Sequence, residues 1–242
     1  MRPMIMTVCG LLCSAATAFA GPKATVVSLK GECTVTRGSA SVPARVKMAL
    51  EESDVLVTGH RSSVEILLDN GALVMLDADT VVELSRLHMT SDHEEVRIAL
   101  SLGRILASVR KLVSPSSTFS IRTKTSVAAV RGTEYVVEAA SDSTDVGVFE
   151  GTVNVAALDA PDDASAVLVR RGEQTTVPVT GGPLPAFVMS ARMRTHQARM
   201  DALRRRAEMH RRSLERILRE REKTGARMQE YWNRRLQQLP RR

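Results

Sequence analysis

The chain has 242 residues, enough for one domain of ordinary size with an appendage or for two small ones. Hydrophobic residues make up 43% and aromatics only 3%, so the core must be built from Val, Leu, Ile, Ala and Met, which argues against aromatic stacking platforms for sugars or bases. The net charge of +7 is unevenly placed: residues 189–242 hold about 17 Lys/Arg against 6 Asp/Glu, leaving a mildly acidic body and a strongly basic tail.

The first twenty residues carry one cation (Arg2), an apolar run through Leu12 and small residues ending in Ala18-Phe19-Ala20. That order predicts a secretory signal peptide over 1–20, with Ala18 and Ala20 at its cleavage site. The run falls short of the roughly 20 apolar residues a membrane helix needs. Of the three cysteines, Cys9 and Cys13 lie in this segment, which leaves Cys33 with no internal disulfide partner, as a small buried filler or, in the minority reading, an intermolecular bridge.

From Ala24 to Thr180 one phrase recurs: a short alternating or apolar run, then a glycine or a polar pair. Each run has the length of a strand. In SVEILLD the apolar positions Val64, Ile66 and Leu68 step by two and Glu65 is expected to face away from the core; with Asp69-Asn70-Gly71 as the turn, this segment and ALVMLD form a hairpin. The polar stretch 88–95 reads as a hairpin end. LSLGRILASVRKL reads as strand, because Gly103 interrupts its alternative helical stripe and its neighbours are strand-like. Pro43 and Pro178 fall in strand-like runs and suit sheet edges.

Between Val127 and Val155 two glycine corners stand out. Arg131-Gly132-Thr133-Glu134 separates two valine-rich runs and should re-aim a strand; Glu150-Gly151 sits between Val146, Val148 and Val153, Val155 and is expected to close a tight hairpin. Arg131 admits two uses: holding a carboxylate or phosphate through parallel hydrogen bonds, or tying down carbonyls of the corner or pairing with Glu134 or Glu150. Gly132 and Gly151 are explained by backbone geometry.

At residues 181–186 glycines and prolines mark a linker, and 187–242 reads as a basic amphipathic helix. Met200, Leu203, Ala207, His210, Leu214 and Ile217 form a stripe at three- and four-residue steps, and Tyr231, Trp232, Leu236 and Leu239 a second apolar cluster. Such a helix needs a partner surface. An envelope protein or self-association as a coiled coil, an anionic membrane surface and nucleic acid are the three candidates; the export signal conflicts with the last, and Arg221 and Arg235 would interrupt a continued heptad.

Catalytic constellations are absent from the motif inventory: no G-x-S-x-G, H-E-x-x-H or P-loop, and no isolated carboxylate pair. His88, Asp92 and His93 could in principle hold a metal, but their setting reads as a solvated hairpin end. The reading is therefore a non-enzyme with no catalytic, cofactor-binding or metal residues.

The pieces VLVTG (55–59), SSVEILLDNGALVM (62–75), 100–109, VRGTEYVV, VFEGTVNV and RRGEQ, in that order, resemble the FecR-like domain, an extracytoplasmic module of bacterial iron-siderophore signalling regulators. Ser53 stands where that pattern usually has glycine. The resemblance implies an all-β roll or solenoid-like sandwich over 21–180, whose signature Arg131, Gly132, Thr133, Glu134, Tyr135, Glu150 and Gly151 is structural. It implies a non-catalytic binding or scaffold module of the periplasm that docks a protein partner, with an accessory role in transporter-linked envelope signalling as the alternative. Direct anti-sigma activity is not expected, since no inner-membrane helix or cytoplasmic segment is recognised.

Overall fold

The computed structural model describes residues 23–159 and 165–237; the predicted cleavage site at Ala18 and Ala20 lies outside them. Seventeen strands form one hydrogen-bonded network. They are β1 (Ala24–Lys30), β2 (Cys33–Arg37), β3 (Ala40–Pro43), β4 (Ala49–Leu50), β5 (Val55–Thr58), β6 (Ser63–Leu68), β7 (Leu73–Leu76), β8 (Val81–Met89), β9 (Glu94–Ser108), β10 (Thr118–Arg122), β11 (Ser126–Val130), β12 (Glu134–Ala139), β13 (Ser143–Glu150), β14 (Thr152–Ala157), β15 (Val167–Arg170), β16 (Glu173–Pro178) and β17 (Phe187–Val188). Two helices follow, a single turn α1 (Ala191–Arg194) and the long α2 (Gln197–Gln237).

The pairings resolve into two layers that share one strand. Sheet A runs β4-β1-β6-β7-β9-β12-β13-β16-β17 and sheet B runs β3-β2-β5-β8-β9-β10-β11-β14-β15. The first part of β9 pairs β8 and β10 in sheet B; its last six residues, from Gly103, pair β7 and β12 in sheet A. Gly103 makes that transfer at φ +96°, with the backbone of Thr80 packed where a side chain would start. The stretch around Gly103 is strand, as its sequence predicts, and the whole is an all-β sandwich of short strands followed by a basic helix.

Period-two patterning fills the space between the sheets. Val26, Val35, Ile66, Leu84, Ile98, Phe119, Val137, Val148 and Val155 belong to this central core. Sheet A buries its other face too. Along β7, Val74 and Leu76 enter the central core while Leu73 and Met75 enter a second one, joined there by Leu106, Val136, Phe149, Met193, Met200, Leu203 and Ala207. The layers are thus sheet B, core, sheet A, core, helix. This explains four consecutive buried residues in β7, a pattern expected of strands covered on both faces.

Tyr135, the largest fully buried side chain, sits in the central core, and its hydroxyl has no hydrogen-bond partner among the described residues. Burial pushes that hydroxyl's pKa above its ordinary value. A buried polar group without a partner is destabilising. Tyr135→Phe should therefore raise stability by about 1 kcal/mol, or about 2–4 °C in Tm; thermal melting checks this, and a lower Tm in the variant would show that the hydroxyl is bonded in solution. Cys33 lies buried at the start of β2 as a free thiol, its pKa pushed up to about 11 by burial.

Candidate functional site

The two signature corners are neighbours in space, and both carry the chain between sheets. Residues 131–133 lead from β11 in sheet B to β12 in sheet A; Gly151 leads from β13 in sheet A back to β14 in sheet B. The expected 150–151 hairpin is therefore corrected: β13 pairs β12 and β16, β14 pairs β11 and β15, and the two do not pair with each other. A turn that changes sheets reads like a hairpin in sequence, since both need glycine between alternating valines. The corners are locked together by the Thr133 hydroxyl, which donates to the Thr152 carbonyl at 2.8 Å. A Cβ on Gly151 would lie 2.7 Å from the Gly132 carbonyl oxygen.

The acidic members of the signature face the tail. Glu134 is buried and lies 3.6 Å from Arg204 of α2; its burial raises its pKa, opposed by the Arg204 charge. Glu150 pairs with Arg171 at 3.5 Å. Neither reaches Arg131, and the sequence reading that Arg131 pairs with one of them does not hold. Arg131 is exposed, with no hydrogen bond or ion pair among the described residues.

The outer face of sheet A meets a row of cations from the tail. Arg199 holds both oxygens of Asp77 at 2.7 and 2.8 Å, and Arg206 both oxygens of Glu65 at 3.0 and 2.6 Å. Glu138 accepts from Arg104 at 2.7 Å and Arg192 at 2.5 Å, with His196 Nε2 at 2.8 Å. Burial pushes Asp77 and Glu138 upward, but bonds and charges from Arg199 and Arg104 in the first case, and from His196, Arg104 and Arg192 in the second, hold both down at about 2. Glu65 faces away from the central core as predicted, yet it faces the helix and is buried. The partner surface that the helical stripe demands is thus the chain's own sheet: Met200, Leu203 and Ala207 are buried against it and His210 and Leu214 half-buried, while the Ile217 side chain and those of Tyr231, Trp232, Leu236 and Leu239 lie outside the described set. The signal for this docking was in the sequence, since Arg192, Arg199 and Arg206 recur every seven residues, the last two being two helical turns apart on α2.

The outer face of sheet B has no such cover among the described residues. Pro43, Thr34, Val57, Val81 and Leu102 lie in register across five strands, with Val57 40% and Leu102 47% exposed. Beyond β9 a separate row, Ser120, Ala129, Asn154 and Leu168, starts from Arg97 of β9 and crosses four more strands, beside Ala99, Arg122, Val127 and Ala156; where it meets β9 the face carries the ion-paired Arg86, Glu95 and Arg97. Small side chains leave a cleft of about 330 Å³ between Pro115, Thr118, Ala129, Arg131, Thr152 and Leu168. Arg131 lines it, Arg170 lies in register with its Thr152, and Arg122 stands further along β10 on the same face; all three are exposed and none has a side-chain ion pair among the described residues. A guanidinium at such a lip offers paired donors to a carboxylate. Sequence reasoning singled out Arg131 and missed Arg122 and Arg170, which only the register brings to the same face.

His88 and His93 stack loosely at the β8–β9 hairpin end, with ring centroids 5.9 Å apart. Among the described residues no group of three or more His, Cys, Asp or Glu is arranged to hold a metal ion, and no helix is long and apolar enough to cross a membrane.

Residues 54–154, from just before β5 into β14, match the family model described as FecR protein. No curated protein matches the chain. Among solved structures, two crystal structures of a candidate anti-sigma factor from Parabacteroides distasonis ATCC 8503 are similar, each with 24% identity and a TM-score of 0.47. They cover 60% and 58% of this chain, which spans 64% and 62% of theirs, less than two thirds in each case.

Proposed function

We propose that the FecR domain carried by residues 54–154 is the centre of a non-catalytic, extracytoplasmic binding module that docks a protein partner on the open face of sheet B. The observation that carries this reading is the asymmetry of the two outer faces. Sheet A is closed by the chain's own helix through apolar packing and four buried or half-buried carboxylates. Sheet B presents two rows of apolar and small side chains beside the internally ion-paired Arg86, Glu95 and Arg97, a cleft, and three cations with no ion-pair partner among the described residues. Protein interfaces are enriched in arginine, and an arginine without an internal partner beside apolar side chains suits one. The FecR match supports a signalling or regulatory setting for the contact.

The partner's contact segment should carry a carboxylate for Arg131. With a photo-crosslinking side chain at position 129 of the full chain, and at the exposed position 188 on the edge of sheet A as control, exposure in an envelope fraction should give a discrete adduct from 129 alone. Arg131→Glu should abolish it without changing the Tm. Equal adducts at both positions, or none at 129, would refute the docking face.

A further inference from the structure

Helix α2 has a second organised face. Taking about 100° per residue, the docked positions His196, Met200, Leu203 and Ala207 define one side. On the opposite side Arg205, Arg212, Arg216, Arg219, Lys223 and Arg227 all fall within about 40° of a single line. All six are exposed. From 205 to 227 that strip contains no acidic residue, its one other member being Met209, and it runs about 33 Å along a straight rod. Only Arg219 and Lys223 have ion-pair partners among the described residues, Glu215 at 3.9 Å and Glu220 at 3.6 Å, both loose and solvent-exposed.

We infer that this stripe is a docking surface for an anionic lipid bilayer, lying along the headgroups while the β sandwich stands off on the far side of the helix. The charge pattern selects that occupant. A helix pinned to a sheet by one face presents its other cations in a line, which suits the phosphates of a plane. A protein interface needs an apolar centre depleted of charge, and the strip offers only Met209. Nucleic acid is read through grooves, concave channels or aromatic stacking, and the strip is convex and has no aromatic. From Met200 to Ala207 the helix's apolar side is consumed by the core that holds Leu73, Leu106 and Val136 of sheet A, so this segment does not enter the acyl region as a free amphipathic helix would. Adsorption is therefore electrostatic, with strength set by the number of basic side chains and by salt.

Cosedimentation of the full chain with vesicles tests this. Binding should be present on phosphatidylcholine containing about a third phosphatidylglycerol, absent on phosphatidylcholine alone, and lost on raising salt from about 50 to 500 mM. Replacing Arg205, Arg212, Arg216 and Arg219 together by Gln should weaken it at least about tenfold at unchanged Tm, because all four are exposed on the side of the helix turned away from sheet A. Binding that survives high salt, that occurs equally on neutral vesicles, or that is unaffected by the four substitutions would overturn the inference. So would tighter binding to duplex DNA or to an acidic polypeptide than to the anionic vesicles at the same salt. Loss of the position-129 adduct leaves this test untouched, since the two surfaces lie on opposite sides of the molecule.

Discussion

Gly103→Ala should lower the stability of the whole protein by about 3–5 kcal/mol, whereas Gly172→Ala should lower it by about 1 kcal/mol. The two glycines have nearly the same backbone, φ +96° and φ +81°. Both variants therefore carry the cost of a left-handed conformation, which a side chain disfavours by roughly 1–2 kcal/mol. They differ in what the new methyl meets. At 172 nothing lies within 4 Å, while at 103 the Cβ would sit 2.6 Å from Thr80 Cα and 2.3 Å from its hydroxyl. A backbone atom cannot swing aside, so either β8 or β9 must move. Because β9 is the strand common to both sheets, the strain is felt by both cores. Thermal denaturation should show a fall of about 10 °C or more for Gly103→Ala and about 2–4 °C for Gly172→Ala. Equal shifts would mean that β9 does not bend at Gly103 as described.

Glu138→Ala should loosen the tail from sheet A and lower stability by about 3–5 kcal/mol, the range for removing one partner of a largely buried charge cluster. The carboxylate is 10% exposed and receives Arg104, Arg192 and His196, so its loss leaves three donors facing one another. The same geometry fixes the acid response. Asp77 and Glu138 have folded pKa values of about 2 against ordinary values of 3.8 and 4.5. A depressed carboxyl contributes stability that is complete above the ordinary value and lost as pH falls through the folded one. The contribution of these two groups should thus be level above about pH 4.5 and decline between about pH 4 and 2, by on the order of 2 kcal/mol from each, while Glu134, whose pKa is raised, acts in the opposite sense above about pH 4.5. In Glu138→Ala the acid-dependent part should shrink by about half. A variant that keeps the full decline would place the titrating groups elsewhere.

Much of the architecture was legible because the residues that make it act locally. The 69–71 turn, the strand character of 100–108 and the edge position of Pro43 follow from alternation, glycine and a missing N–H group, whereas Pro178 ends β16, a strand paired on both sides. What could not be read is which sheet each strand joins. Gly132 and Gly151 have the same local chemistry as a hairpin glycine, and only long-range pairing of β13 with β16 and β14 with β15 decides that the chain crosses over. The same limit hid the helix dock. Glu65 and Glu138 look like outward residues of separate strands and Asp77 like the residue after a third, and they come together beneath the tail only when β6, β7, β9 and β12 lie side by side. Arg131 was visible as a residue out of pattern. Its lack of an internal partner was not, because nothing near it in sequence says that Glu134 turns towards Arg204 and Glu150 towards Arg171.

The closed face of sheet A can be probed by oxidative footprinting of the methionines in the full chain at neutral pH. Met75, Met189, Met193 and Met200 are all at most 5% exposed in the core between sheet A and the tail, whereas Met209, on the outward side of α2, is 59% exposed and serves as the internal reference. The account predicts that Met209 oxidises readily while Met75, Met189, Met193 and Met200 resist until the protein unfolds or the Glu138 cluster is broken. Oxidation of Met75, Met193 and Met200 at the rate of Met209 in the intact protein would contradict it, because sheet A would then be as open as sheet B.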